Sequence, residues 1–407
     1  MGRSRSQATR SKQSQQSERD TPRGNAIWAQ DPIPYILTLW CVSRIILTGI
    51  GVGARSWGVF GHKLLMSSGY EWLDIWIAWD SRWYYPIAYV GYLATPADPH
   101  GFSAWAFFPL YPWITRAVAV VVGNTYIAAL LVSNVSLLIG AWFLYKLVEQ
   151  YHNGAMARRA VLFLFLFPTA YVFSCLMTEG LFLALSVGAW YYASQRNWLL
   201  AGALGMASAM TRMVGLVMAP LLALEYLRQR QWHLARIRPD VLWIGLVPVG
   251  LGVVMATGYT LTDNPWKFVD AQNVWGTRSN PLWTLWKSLE TAWQSPLVLR
   301  DAAHNSPLAM GYGAILAIVA TGVLLWGRKQ IGMLLCLWSV AHILISFASN
   351  SLSAHSMPRF LSVIFPLYLI LASWRMRSVA FVITVAALIL LQAATFALWT
   401  LSWKVAM

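Results

Sequence analysis

Runs of about twenty apolar residues, separated by short basic or turn-rich stretches, dominate this 407-residue chain. That length is what an α-helix needs to cross the hydrocarbon core of a bilayer. Such spans fall near 32–53, 126–148, 159–176, 177–194, 198–211, 213–227, 240–262, 309–327, 330–348, 360–374 and 378–400. The pattern predicts an all-α, polytopic integral membrane protein with about 11 transmembrane helices. Several runs are short, which points to tilted or broken helices whose freed backbone groups must face protein or water.

The stretch 104–122 is apolar too, yet a crossing there would put Lys146, Arg158 and Arg159 outside and invert every later basic loop. Left re-entrant or interfacial, it lets Arg158/Arg159, Arg196, Arg228/Arg230/Arg236/Arg238, Arg328/Lys329 and Arg375/Arg377 all fall inside, as the positive-inside rule asks. Pro109 and Pro112 agree, because each removes a helical N–H. The N-terminus is then cytoplasmic, and two long loops, 54–125 and 263–308, lie outside. Glu71, Asp74, Asp80, Asp98, Glu179, Asp263, Asp270, Glu290 and Asp301 gather on that outer side. Any chemistry belongs there.

Composition sharpens this picture. Hydrophobic residues make up 58% and charged residues only 11%, with mean hydropathy +0.52. A soluble chain carries about 25% charged residues. The net charge of +15 is explained by inner loops and a basic tail, so no nucleic-acid partner is implied. Residues 1–25 are Ser/Gln/Arg-rich with almost nothing to bury, which predicts a disordered cytoplasmic tail grazing anionic lipid. The membrane-embedded domain takes 26–407. Cys41, Cys175 and Cys336 lie far apart inside apolar runs and read as small buried hydrophobes.

Candidate chemistry centres on Trp79–Pro112, which reads W-D-S-R-W-Y-Y-P-I-A-Y-V-G-Y and, after a turn-rich gap, A-F-F-P-L-Y-P. Asp80 is the one carboxylate in a cluster of Trp76, Trp79, Trp83, Tyr84 and Tyr85. The aromatics recur at helical spacing over 76–85, a stripe suited to a helix lying in the interface, and Pro86 breaks it or opens the next helix. A carboxylate there can act as general base towards a hydroxyl. Burial among rings would raise its pKa, and Arg82 or another cation would lower it. A capping or salt-bridged aspartate fits the spacing equally well.

Other polar residues stand at outer helix ends. Glu179 sits in C-L-M-T-E-G-L-F, where an ionisable group at a span's edge reads as functional, with a snorkelling glutamate the alternative. Arg212 and Arg359 occupy corners suited to an anionic headgroup or lipid phosphate, since a guanidinium fork bonds two oxygens. Each also fits a plain interfacial anchor. Asp270 and Gln272, in P-W-K-F-V-D-A-Q-N-V-W-G, suit a sugar or ordinary loop packing. His355 precedes Arg359 in S-A-H-S-M-P, where a surface or hydrogen-bonded histidine is the better fit than a ligand. DxD, HExxH, Gly-rich phosphate loops and a Walker lysine are missing, which argues against a nucleotide donor and a dedicated metal site.

Together these blocks resemble the PIG-V family, the second GPI mannosyltransferases and their bacterial relatives. The likeness rests on Trp79–Tyr92, Ala106–Pro112, Phe173–Phe182, Thr211–Gly215, Pro265–Trp275 and the Arg359–Phe360 step. It runs from the first span to about residue 370. Pro86 and Val214 depart from its pattern. The resemblance implies a GT-C fold and inverting transfer of mannose from a polyprenyl- or dolichyl-phosphate donor to a lipid-linked acceptor, without cofactor. Asp80 would be the base, with Glu179 and Gln272 lining the pocket. Trp79, Arg82, Tyr84, Asp270 and His355 are further substrate contacts, and Arg212 and Arg359 face the leaving phosphate. A small membrane subunit is a possible partner for such an enzyme. The competing readings are a GT-C transferase for another sugar or a protein acceptor, and a transporter. Paired internal repeats with polar residues at mid-membrane would mark the transporter.

Overall fold

The computed structural model describes residues 31–56, 66–274, 280–295, 306–349 and 353–401. The basic tail therefore lies outside the described residues, as do Trp275 and Asp301. Every regular element among the described residues is helical. Five helices are long and apolar enough to cross a membrane: Pro32–Ser56, Thr125–Tyr151, Pro239–Thr262, Pro307–Trp326 and Ser378–Thr400. A sixth candidate is the bent pair Ala354–Ser362 and Pro366–Ser373, which turns by 66° at its break.

The centre of the bundle is the Glu179–Ser194 helix, packed against Thr125–Tyr151 on one side and Trp198–Thr211 on the other. It is apolar on all faces and almost wholly buried, as such a helix must be. Lipid offers no hydrophobic drive between helices, so close approach of small residues does the packing. Gly140 shows this, since a Cβ there would stand 3.2 Å from the backbone nitrogen of Ala184.

Two expected spans are corrected by proline chemistry. The run 159–176 is not one helix. The Gly154–Leu166 helix stops before Pro168, which pushes Phe167 into an extended conformation, and the 3-10 turn Ala170–Ser174 follows. The carbonyls freed inside the bundle are satisfied from the last helix. Gln392 Nε2 donates to Phe165 O (2.9 Å) and Phe167 O (3.0 Å), and Thr395 Oγ1 donates to Pro168 O (2.6 Å). These two side chains are why a Val/Ile/Leu-rich helix whose other face is exposed carries polar residues.

The run 360–374 is likewise broken, between Ser362 and Pro366. The stretch 104–122 forms a 3-10 turn, Ala104–Ala106, and the helix Leu110–Val122. That helix has 13 residues, so it is about 20 Å long against a hydrocarbon core of about 30 Å. Pro112 sits in its first turn, where the N–H has no helical partner to lose.

The interfacial helix expected over 76–85 does not form. A short helix, Glu71–Asp74, is followed by a turn, and the Ser81–Tyr89 helix begins after Asp80. Trp79 breaks the run by adopting φ +54°, left-handed backbone that costs an L-residue about 1–2 kcal/mol. Pro86 neither ends nor opens a helix but lies inside Ser81–Tyr89.

Candidate active site

Four elements from distant parts of the chain converge beside the Trp79 turn. Asp80 occupies the N-cap position of Ser81–Tyr89, but its side chain makes no capping hydrogen bond. Instead Oδ2 accepts from Arg359 Nη1 at 2.7 Å. The salt-bridged alternative for Asp80 is thus realised, and its cation is Arg359. Arg82 points elsewhere, lying 3.6 Å from Asp98 and over the ring of Trp83.

Arg359 belongs to the short helix Met357–Ser362 and is 4% exposed. Its Nε lies 3.4 Å from Glu179 Oε1, and its Nη1 also reaches Met177 Sδ at 3.5 Å. Glu179 opens its helix, where the dipole favours a carboxylate. Gly180 lets that helix start so deep, because a Cβ there would stand 2.8 Å from the carbonyl oxygens of both Phe173 and Ser133. Glu179 Oε1 also accepts from Arg212 Nη1 at 2.7 Å. Arg212 caps the C-terminus of Trp198–Thr211, the end that favours a cation.

Asp80, Arg359, Glu179 and Arg212 therefore form one row of alternating charge. The ring of Phe360 lies beneath both guanidinium groups, 5.2 Å from Arg359 and 5.1 Å from Arg212. Arg212 Nη1 further touches Thr178 Oγ1 (3.4 Å), which meets the hydroxyl of Tyr84 at 3.5 Å. Burial pushes the Tyr84 phenol well above its usual range, so it stays a neutral donor. Its ring packs edge-on against Phe107 and Tyr111 of the A-F-F-P-L-Y-P segment.

Side-chain exposure distinguishes the ends of the row from its middle. Asp80 is 16% and Arg212 17% exposed, whereas Arg359 is 5% and Glu179 2%. The ends of the row are thus its more accessible groups.

The remaining candidates are not members of that row, although Trp79 adjoins Asp80. Asp270 is exposed and bonded to Asn264 Nδ2 at 2.8 Å. Gln272 shares its helix, Lys267–Asn273, which packs on Ala104–Ala106. His355 is buried rather than on the surface, and its Nε2 accepts from Ser306 N at 3.2 Å. Trp79 is half-buried, with an indole N–H that finds no partner among the described residues. Among those residues no group of three or more His, Cys, Asp or Glu is placed to hold a metal ion.

Three neighbours escaped the sequence reading. Thr178 carries no signal beyond its place next to Glu179. His342 packs its ring on Phe182, which lies under Arg212. Arg44 is the charged residue in the middle of the first span, and an intramembrane charge is a signal that could have found it.

Residues 104–259 match the family model "Dolichyl-phosphate-mannose-protein mannosyltransferase". No curated protein matches the chain. The crystal structure of ArnT from Cupriavidus metallidurans bound to undecaprenyl phosphate superposes with TM-score 0.53 at 12% identity, over 91% of this chain and 76% of that one. The archaeal oligosaccharyltransferase AglB from Archaeoglobus fulgidus, in complex with an inhibitory peptide and a dolichol-phosphate, gives TM-score 0.42 at 10% identity. That overlap takes 89% of this chain but only 56% of AglB. The likeness to ArnT shows the fold: the chain is an all-helical, polytopic membrane protein of the GT-C type.

Proposed function

We propose that this protein is a membrane glycosyltransferase that moves mannose from a polyprenyl- or dolichyl-phosphate donor to a lipid-linked acceptor. The acceptor is a glycolipid or GPI-like lipid presented on the outer membrane face, with the N-terminus inside and residues 26–407 forming the catalytic body. The observation that carries this reading is the Asp80–Arg359–Glu179–Arg212 row, whose exposed ends are a carboxylate and a guanidinium. The dolichyl-phosphate-mannose name of the family matched over 104–259, and the lipid phosphate bound to ArnT, support a lipid-phosphate sugar as donor. The blocks shared with the PIG-V family support mannose and a lipid acceptor.

The chemistry divides between the two ends. At one end Asp80 takes the proton of the acceptor hydroxyl, using Oδ1, which makes no hydrogen bond among the described residues. The acceptor oxygen attacks the anomeric carbon from the face opposite the phosphate. As the new C–O bond forms, the bond to the phosphate oxygen breaks, and the centre passes through oxocarbenium character with inversion. The electron pair leaves with the lipid phosphate, whose added charge needs a fixed cation rather than a proton. Arg212 is that cation. Arg359, expected to share this task, is buried against Asp80 and Glu179 and serves to aim the base.

Purified protein with radiolabelled polyprenyl-phosphate mannose and a membrane lipid extract tests the reading, beside Asp80→Asn. Label should move into lipid with the natural protein and fall at least about 100-fold in the variant. Full activity in Asp80→Asn would remove the base from Asp80. No transfer from that donor by folded protein would exclude mannose and direct the search to other lipid-linked sugars.

A further inference from the structure

Arg44 stands in the middle of the Pro32–Ser56 helix and is 8% exposed. A charge in a membrane span is costly and is kept where it faces a partner inside the bundle. Arg44 has two such partners. Its Nη2 donates to Ala170 O at 3.5 Å, and its guanidinium lies 5.8 Å over the ring of Trp76. Its Nε and Nη1 are buried with no hydrogen-bond partner among the described residues.

Those two partners belong to the two segments that carry the acids. Trp76 lies in the turn leading to Asp80, and Ala170 opens the 3-10 turn leading to Glu179. The segments touch directly through Leu176 N, which donates to Trp76 O at 3.3 Å. The ring of Phe396 from the last helix packs against both segments, 4.8 Å from Trp76 and 5.1 Å from Tyr171. The thiol of Cys175 lies within electrostatic reach of Arg44, Glu179 and Arg359 alike, so the three charges share one neighbourhood.

From this placement we infer that Arg44 is a positioning residue: it clamps the Asp80 turn to the Glu179 segment and so sets the spacing of the charge row. An arginine suits this task because a planar cation lies flat on an indole while donating in its own plane to a carbonyl. A lysine ammonium meets one partner or the other less completely. Spacing matters because Arg359 must reach Asp80 at 2.7 Å and Glu179 at 3.4 Å at once. A slip of about 1 Å in such an arrangement can cost about 100-fold in rate.

The role in catalysis rests on the glycosyltransferase reading above, but the clamp can be measured without it. Arg44→Met and Arg44→Lys, each in nanodiscs, are compared with the natural protein by hydrogen exchange and by sugar transfer. Arg44→Met should speed exchange in peptides covering 75–83 and 175–182 together. Its kcat should fall about 10- to 100-fold with donor KM held within about two-fold, and Arg44→Lys should recover part of both.

Unchanged exchange in a folded Arg44→Met, or a change in one segment only, overturns the clamp. If Arg44→Met does not fold, a parallel but smaller rise in both peptides of Arg44→Lys supports the clamp and no rise refutes it. If the natural protein transfers no sugar, the functional reading fails while the exchange data still decide on Arg44.

Discussion

Replacing Arg359 with methionine removes the charge at the centre of the row while keeping most of its volume. The side chain is 5% exposed and holds Asp80 Oδ2 at 2.7 Å and Glu179 Oε1 at 3.4 Å. Removing one member of a buried ion pair costs about 3–5 kcal/mol, because the remaining charge is left in a medium that solvates it poorly. Two features lower that figure here. Glu179 keeps Arg212 at 2.7 Å, and Asp80, with 16% of its side chain exposed, can recruit water. The expected loss is therefore about 2–3 kcal/mol, a few degrees of melting temperature for a chain of this size. Thermal unfolding in nanodiscs reads it directly.

The decisive comparison is the double variant Asp80→Asn with Arg359→Met. It leaves no orphaned charge at that end of the row, so it should be more stable than Arg359→Met alone. The double-mutant cycle should return a coupling of about 1–2 kcal/mol. Additive losses, or a single variant as stable as the natural protein, would refute the ion pair as the organising contact. Sugar transfer should fall about 100-fold in the single variant, as expected for a misaimed base.

Further outcomes follow from the same geometry. Gly180→Ala should destabilise by about 1–3 kcal/mol in the same melting assay, because its methyl meets two backbone carbonyls that cannot rotate away. Gly313→Ala should reduce transfer even where the protein folds: its methyl would run into the carbonyl oxygen of Ala354, just before the Met357–Ser362 helix that carries Arg359. Steady-state kinetics with excess acceptor would show it as a lower kcat. Arg212→Lys keeps the charge at the open end of the row but loses the fork, so donor KM should rise about 5- to 10-fold, one charge-assisted bond's worth, with a smaller change in kcat. Equal KM values would take the donor phosphate away from Arg212.

Some of the residues that stand out in the sequence are brought together by the structure. Asp80 stands out as the carboxylate in an aromatic cluster and Glu179, Arg212 and Arg359 as isolated charges at helix ends, and the structure joins all four in one row. Their partners were not legible. Arg82, two positions from Asp80, is the cation the sequence names first, with another left open, whereas the partner is Arg359, 279 positions away. Proximity along the chain is a poor guide to pairing once helices bring distant corners together. The helix expected over 76–85 failed because helical spacing of aromatics is also produced by two short helices joined at a left-handed residue. Asp270 and Gln272 share a loop with aromatic residues, but their helix packs on Ala104–Ala106 and neither bonds to the row.

The sequence by itself determined the environment and the class of architecture. Some twenty apolar residues in succession have few stable states in water, and in lipid a helix satisfies every backbone group within its own segment. That rule is local, so Pro32–Ser56, Thr125–Tyr151, Pro239–Thr262, Pro307–Trp326 and Ser378–Thr400 could be read from hydropathy alone. Only the tertiary structure decided where helices break and which charges meet. A broken helix survives in the bundle when a side chain from elsewhere bonds its freed carbonyls, as Gln392 and Thr395 do for Phe165, Phe167 and Pro168. A buried carboxylate survives when a guanidinium reaches it, as Arg359 does for Asp80 and Glu179. Both are compensations between segments hundreds of residues apart, and such contacts exist only once the chain has packed.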